Sequence, residues 1–150
     1  MNNFQTTTGE EYFIVTDIDK MDVDTIHRYL SETSYWAKGI PKELVEKSIR
    51  HSLCLGVFSG DEQVGFARVV TDRTSFAYLG DVFILPAHQG KGLSKWLMQT
   101  IHGYPDLQGL RRWMLFTRDA HGLYSQFGWK QVPEEQTGRI MQIHNPNIYQ

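Results

Sequence analysis

The chain has one cysteine in 150 residues, Cys54. A single thiol excludes an intramolecular disulfide and suits a reducing compartment; its setting, Leu53-Cys54-Leu55, reads as core. Charge of one sign is also scarce: 15 Lys and Arg against 17 Asp and Glu leave a net charge of −2. A general nucleic-acid binder would show a basic excess or patch, so no nucleic-acid partner is expected. No apolar run approaches the roughly 20 residues of a spanning helix, so no membrane partner is expected. The opening MNNFQTTTGEE lacks the basic and apolar regions of a secretory signal, which makes the cytoplasm the expected location. The six histidines, His27, His51, His88, His102, His121 and His144, have no metal-ligand spacing, and no metal is expected. Repeats, low-complexity tracts and linkers are missing as well. One domain over residues 1–150 is expected, with a frayed polar tail over about 1–9.

What the chain does have is apolar side chain, 41% hydrophobic and 13% aromatic residues, enough for a sizeable core. Glu11 to Thr16 reads as a strand. Asp22 or Asp24 caps a helix with Ile26, Tyr29 and Leu30 at helical spacing, and Pro41 opens a second helix through Ile49. Between them, Ser34 to Ile40 is a loop with two large aromatics. Three strands joined by turns follow: Leu53–Phe58, Gln63–Val70, and a long one ending at Leu85. A helix from about Gln89 to His102, a strand over Arg112–Thr117 and a short helix from about Ala120 to Phe127 come next. Trp129–Val132 and Arg139–Ile143 read as a closing pair of strands. The first hundred residues lack the repeated βαβ units of a dinucleotide-binding domain.

The segment Phe76 to Leu97, FAYLGDVFILPAHQGKGLSKWL, carries most of the functional signal. A β-rich run stops at Pro86, which has no N–H for a ladder, and glycines then precede a helix. Such a helix start leaves backbone N–H groups uncovered at the positive end of the helix dipole, which makes an anion site, and Lys91 adds a cation. The Walker frame is absent, so Lys91 is not a Walker lysine. Gln89-Gly90-Lys91-Gly92-Leu93-Ser94 resembles the acetyl-CoA-binding motif of the GNAT superfamily of N-acetyltransferases, with Ser94 in place of the usual Gly or Ala. Ala120 to Trp129, AHGLYSQFGW, is similar to that family's later Ala-x-x-hydrophobic-Tyr segment. The two motifs in this order are far more specific than either alone.

The resemblance implies an α/β fold of the GNAT type: a mixed, mostly antiparallel sheet, splayed at the CoA site and flanked by helices. It implies transfer of an acetyl group from acetyl-CoA to a primary amine by direct attack. The backbone of Val82, Phe83 and Ile84 would meet the pantetheine, and Gln89, Gly90, Lys91, Gly92, Leu93 and Ser94 the pyrophosphate. Thr117 stands where many members carry a cofactor-holding asparagine. Tyr124 matches the position of the general acid beside the CoA sulfur; a phenol of pKa ~10 keeps its proton at neutral pH. Asp81 is the candidate base, because the strand after the helix has no acid, although it equally suits holding a loop or an arginine; a water chain is the other route. Tyr35, Trp36 and His121 are candidate acceptor contacts, and Arg68, Asp72 and Arg73, near the central hairpin, are further candidates to face the acceptor. A small-molecule amine is the favoured acceptor and a homodimer is a further expectation. Another acyl donor, a protein acceptor, or a CoA-binding sensor without catalysis are the alternatives.

Overall fold

The computed structural model describes residues 2–150. Six strands form one sheet in chain order: β1 (Asn2–Gln5), β2 (Glu11–Val15), β3 (Leu53–Ser59), β4 (Glu62–Thr71), β5 (Phe76–Ile84) and β6 (Arg112–Met114). The first five pair antiparallel, and β5 pairs with β6 in parallel. The helices are α1 (Val23–Arg28), continued by a wider turn through Thr33, α2 (Lys42–Arg50), α3 (Leu93–His102), α4 (His121–Ser125) and α5 (Glu134–Thr137). Asp22 caps α1 by accepting from the Thr25 N–H at 3.2 Å, as its position in the sequence implies.

Alternation along the strands divides the interior in two. Leu53, Leu55, Val57, Ala67, Val69, Ala77 and Leu79 face α3, whose Leu93, Trp96, Leu97, Met98 and Ile101 are buried against them. Cys54, Phe66 and Phe83 face the other way, onto Ile26 and Leu30 of the first helical segment and Val45 and Ile49 of α2. A strand buried on both faces reads as a continuous apolar run, which is why β3 is buried from Leu53 through Phe58. Cys54 is fully buried, and burial pushes its thiol up to about 12, so it is an inert core residue.

Four features differ from the sequence expectation. Residues 2–5 form β1, paired with β2, and Phe4 stacks on Trp96 with ring centroids 4.9 Å apart. The ladder and that one ring hold a segment whose polar composition suggested fraying. Helix α3 begins at Leu93, because Gly90 and Gly92 both take positive φ, at 77° and 82°. The closing pair of strands over Trp129–Val132 and Arg139–Ile143 is not formed, and β6 stops at Met114. Pro133 has no N–H to give, and every residue from Gln131 to Ile148 is exposed, so those segments have no neighbouring ladder in the chain.

Candidate active site

Strand β5 has a partner on both sides only at its start. The parallel pairing with β6 covers Phe76↔Arg112, Ala77↔Trp113 and Tyr78↔Met114 and then ends. Beyond that point β5 continues for six residues beside β4 alone, so a fork opens between β5 and the segment after β6. The cause lies in a bulge. Phe66 pairs with Phe83 and Arg68 with Gly80, so Asp81 and Val82 together oppose Ala67. Asp81 sits there with φ at 54°, a left-handed conformation that Asp tolerates better than most residues. Bulges bend and twist the strand that carries them, which turns the second half of β5 away from β6.

At the open end of β5, the backbone of Val82–Ile84 leads into the loop Gln89–Gly92. The Gln89 side chain donates to the Ile84 carbonyl at 2.9 Å and ties the loop to the strand end. None of the N–H groups from Gly90 to Lys95 meets an acceptor among the described residues, and α3 has no side-chain cap. A β-carbon on Gly90 would meet nothing within 4 Å, so the loop is open on that side. A cavity of about 140 Å³ lies over these groups, lined by Ile84, His88, Gly92, Ser94 and Lys95 among others. Consecutive free donors at the start of a ten-residue helix fit an anion of two phosphates, and unpaired strand backbone beside them fits an amide-bearing arm.

At the mouth of the fork, side chains from four segments meet. Trp36 Nε1 donates to Asp81 Oδ1 at 2.8 Å, and Arg68 Nε donates to Asp81 Oδ2 at 2.7 Å. Arg68 Nη1 reaches Ser52 Oγ at 3.2 Å. The neighbouring Tyr35 grips the other arm: its hydroxyl accepts the Arg118 N–H at 3.0 Å, and the Arg118 guanidinium lies 3.9 Å from its ring centroid. Tyr35 and Trp36 thus form a strap across the fork, edge to face with centroids 5.1 Å apart. Ser34 fixes the strap's root, donating to Leu30 O at 2.6 Å and accepting from the Ala37 N–H at 3.1 Å. Tyr78 and Phe116, one on each arm, approach to 6.1 Å.

Tyr124 is buried at the end of α4, and its hydroxyl has no hydrogen-bond partner among the described residues. Burial, then the nearby Tyr35 and Asp119, push it up to about 12. It therefore holds its proton across the physiological range.

These observations meet a family assignment. The sequence model of the acetyltransferase (GNAT) family matches residues 23–129, well over half of the chain. The chain belongs to the GNAT acetyltransferase family. Like other GNAT acetyltransferases it has a mixed sheet flanked by helices. It is similar to the crystal structure of a candidate GNAT acetyltransferase of Xanthomonas campestris, at 48% identity and a TM-score of 0.88, covering 92% of this chain and 96% of that one. A candidate acetyltransferase of Gibberella zeae is 34% identical over 145 residues, spanning 81% of this chain and 80% of the relative. A candidate acetyltransferase of Clostridium acetobutylicum, solved with acetyl-CoA, matches at 11% identity and a TM-score of 0.62 over 89% and 94% of the two chains, which shows the fold alone.

Within this GNAT acetyltransferase, the fold brings Asp81, Tyr35 and Trp36 to one mouth and Val82–Ile84 and Gln89–Ser94 to one loop end. Thr117 caps the turn into α4, accepting from the Ala120 N–H at 3.0 Å. His121 is exposed at the start of α4. Asp72 is occupied at its own turn by Thr74, Ser75 and Phe76, and Arg73 pairs with Asp106 at 2.5 Å, so neither is drawn into the mouth. Sequence reasoning passed over Arg118, which no spacing links to Tyr35, and Glu10, Tyr12 and His88 beside the donor loop. Among the described residues no cluster of His, Cys, Asp or Glu is arranged to hold a metal, and no helix is long and apolar enough to cross a membrane.

Proposed function

We propose that this enzyme transfers an acetyl group from acetyl-CoA to a primary amine, with a small molecule as acceptor. The observation that carries this reading is the fork: unpaired β5 backbone leading to six unpaired N–H groups, with the Tyr124 phenol buried nearby. Acetyl-CoA supplies the activated thioester. The N–H groups of Gly90–Lys95 hold its pyrophosphate, Val82–Ile84 align its pantetheine, and Thr117 keeps the β6–α4 loop in place beside it. Tyr124 Oη gives its proton to the departing sulfur and regains one from the water that receives the amine's proton, and its raised pKa keeps it protonated at the start of each turnover. Asp81 has both oxygens engaged, so its part is to hold the Trp36 strap and Arg68, and the amine's proton leaves through water. Tyr35 and Trp36 border the acceptor, with His121 at the rim.

The same reading extends to assembly. The outer edge of β6 is open, and Ile140, Met141 and Ile143 are exposed on the C-terminal arm. Both features support a homodimer, which sedimentation at several concentrations tests.

The experiment for the catalytic reading is calorimetric titration with acetyl-CoA, CoA and a bulkier acyl-CoA, followed by a screen of small amines for thiol release. Micromolar acetyl-CoA binding and turnover with at least one amine are expected. Binding without turnover on any amine or peptide would favour a CoA-binding sensor, and no binding by folded protein would remove the donor assignment.

A further inference from the structure

The N-terminal hairpin leans on the donor loop at three points. Phe4 lies against Trp96, and a β-carbon on Gly92 would stand 3.8 Å from its ring end. Tyr12 meets His88, with its hydroxyl 3.0 Å from Nδ1. Glu10, at the head of β2, forms an ion pair with Lys91, the one lysine inside the Gln89–Ser94 loop. Tyr12 also donates to Glu10 Oε2 at 2.5 Å. A phenol has one proton, so the Tyr12 oxygen must receive its second bond from His88 Nδ1–H. The result is a directed chain, His88 to Tyr12 to Glu10, with Lys91 closing on the other carboxylate oxygen. Lys91 and then Tyr12 hold the Glu10 carboxyl down at about 2, so it is ionised throughout the neutral range.

A fixed carboxylate beside an anion site works against any anion that enters. We propose that Glu10 is a resident counter-anion of the donor loop: Lys91 exchanges Glu10 for the donor's phosphates, and Glu10 thereby sets how tightly the donor binds. The inference rests on the reading of Gly90–Lys95 as the pyrophosphate site. A loop of free donors plus an unopposed lysine would hold small polyanions indiscriminately. With Glu10 in place, occupancy requires a ligand that gains contacts elsewhere, and the open side of β5 is where an acyl-CoA gains them.

The test is titration of the full-length protein with acetyl-CoA at low ionic strength, using wild type, Glu10→Gln and Lys91→Met. Glutamine keeps an acceptor for Tyr12 and removes the charge, and melting curves of each variant check the fold. Glu10→Gln is expected to bind about three- to tenfold tighter, the size of one unit charge a few ångströms away in water. Lys91→Met is expected to bind more weakly than wild type. If wild type binds and Glu10→Gln binds equally or less tightly, Glu10 is only a strut that positions Lys91 and the inference falls alone. An unchanged affinity in Lys91→Met also overturns it, because Lys91 then does not pass to the phosphates. If none of the three proteins binds while all are folded, the donor-site reading falls and takes the inference with it.

Discussion

The donor end and the acceptor mouth of the fork are made of different materials. The donor end is mostly main chain: two glycines at positive φ present a row of N–H groups, the Gln89 side chain ties the loop down, and Lys91 is the one charged side chain within it. The mouth is side chain: Trp36, Arg68, Asp81 and the Tyr35–Arg118 pair come from the α1–α2 loop, β4, β5 and the loop after β6. A site built of backbone is sensitive to conformation and tolerant of side-chain chemistry. A site built of converging side chains is the reverse, since each polar group is satisfied by another and loses its partner when one is removed.

The largest effect should therefore come from one atom on the side-chain end. Tyr124→Phe deletes the phenolic oxygen, and turnover should fall by about 10²–10⁴ while acetyl-CoA affinity stays within about twofold. Steady-state kinetics beside calorimetry makes the comparison. Because burial pushes the Tyr124 phenol up to about 12, wild-type turnover should show no alkaline fall from this group until pH is well above 10. Full turnover in Tyr124→Phe across that range would mean the mouth holds no acid there.

Asp81→Asn comes next. It preserves size and tolerance of positive φ but leaves the Arg68 charge, 21% exposed, without its partner. Breaking a partly buried pair in this way costs about 3 kcal/mol, read by chemical denaturation. Loss of turnover with no loss of stability and a displaced pH profile would show instead that Asp81 is the base.

This contrast also explains what could be read from the residues in advance. The donor loop lies within six consecutive positions, Gln89 to Ser94, so glycine spacing announces it, and β3, β4 and β5 announce themselves by apolar runs. The mouth has no such signal. Trp36 lies 45 residues from Asp81 and Tyr35 lies 83 from Arg118, contacts that only the folded sheet creates. Glu10 and Lys91 are 81 apart. Strand β1 escaped notice because Asn2-Asn3-Phe4-Gln5 holds one good strand former and owes its place to pairing with β2. Arg139–Ile143 has the apolar content of a strand, but a strand exists only with a partner, and among the described residues this segment pairs with none.

Gly92→Ala addresses the backbone end. Space is not the obstacle, since the nearest atom to the new carbon is Phe4 Cζ at 3.8 Å, but φ at 82° is. A left-handed alanine costs about 1–2 kcal/mol, so the loop should relax and acetyl-CoA affinity should fall by about tenfold. Ser94→Ala, which leaves the backbone alone, should change affinity much less. If the serine change proves the costlier, the donor end relies on side chains after all.

The smallest effect concerns a group that serves neither end. His102, at the last residue of α3, accepts the Trp129 N–H on Nε2 at 2.9 Å and is packed by Trp113, Phe127 and Trp129. Burial lowers its pKa, so the folded state prefers the neutral ring that the Trp129 bond requires. The unfolded chain then binds the proton more readily than the folded one. The stabilisation is complete above the unfolded value of about 6.5 and is lost as pH falls through it toward the folded value. Melting temperature should drop modestly between pH 7.5 and 5.5, with a matching change in tryptophan fluorescence, and His102→Gln should flatten the drop. Donor affinity should not follow this titration, because His102 lies at the opposite end of α3 from the loop. If acetyl-CoA binding did track it, the helix would be coupling its two ends, and the separation between backbone site and side-chain site would need a third element.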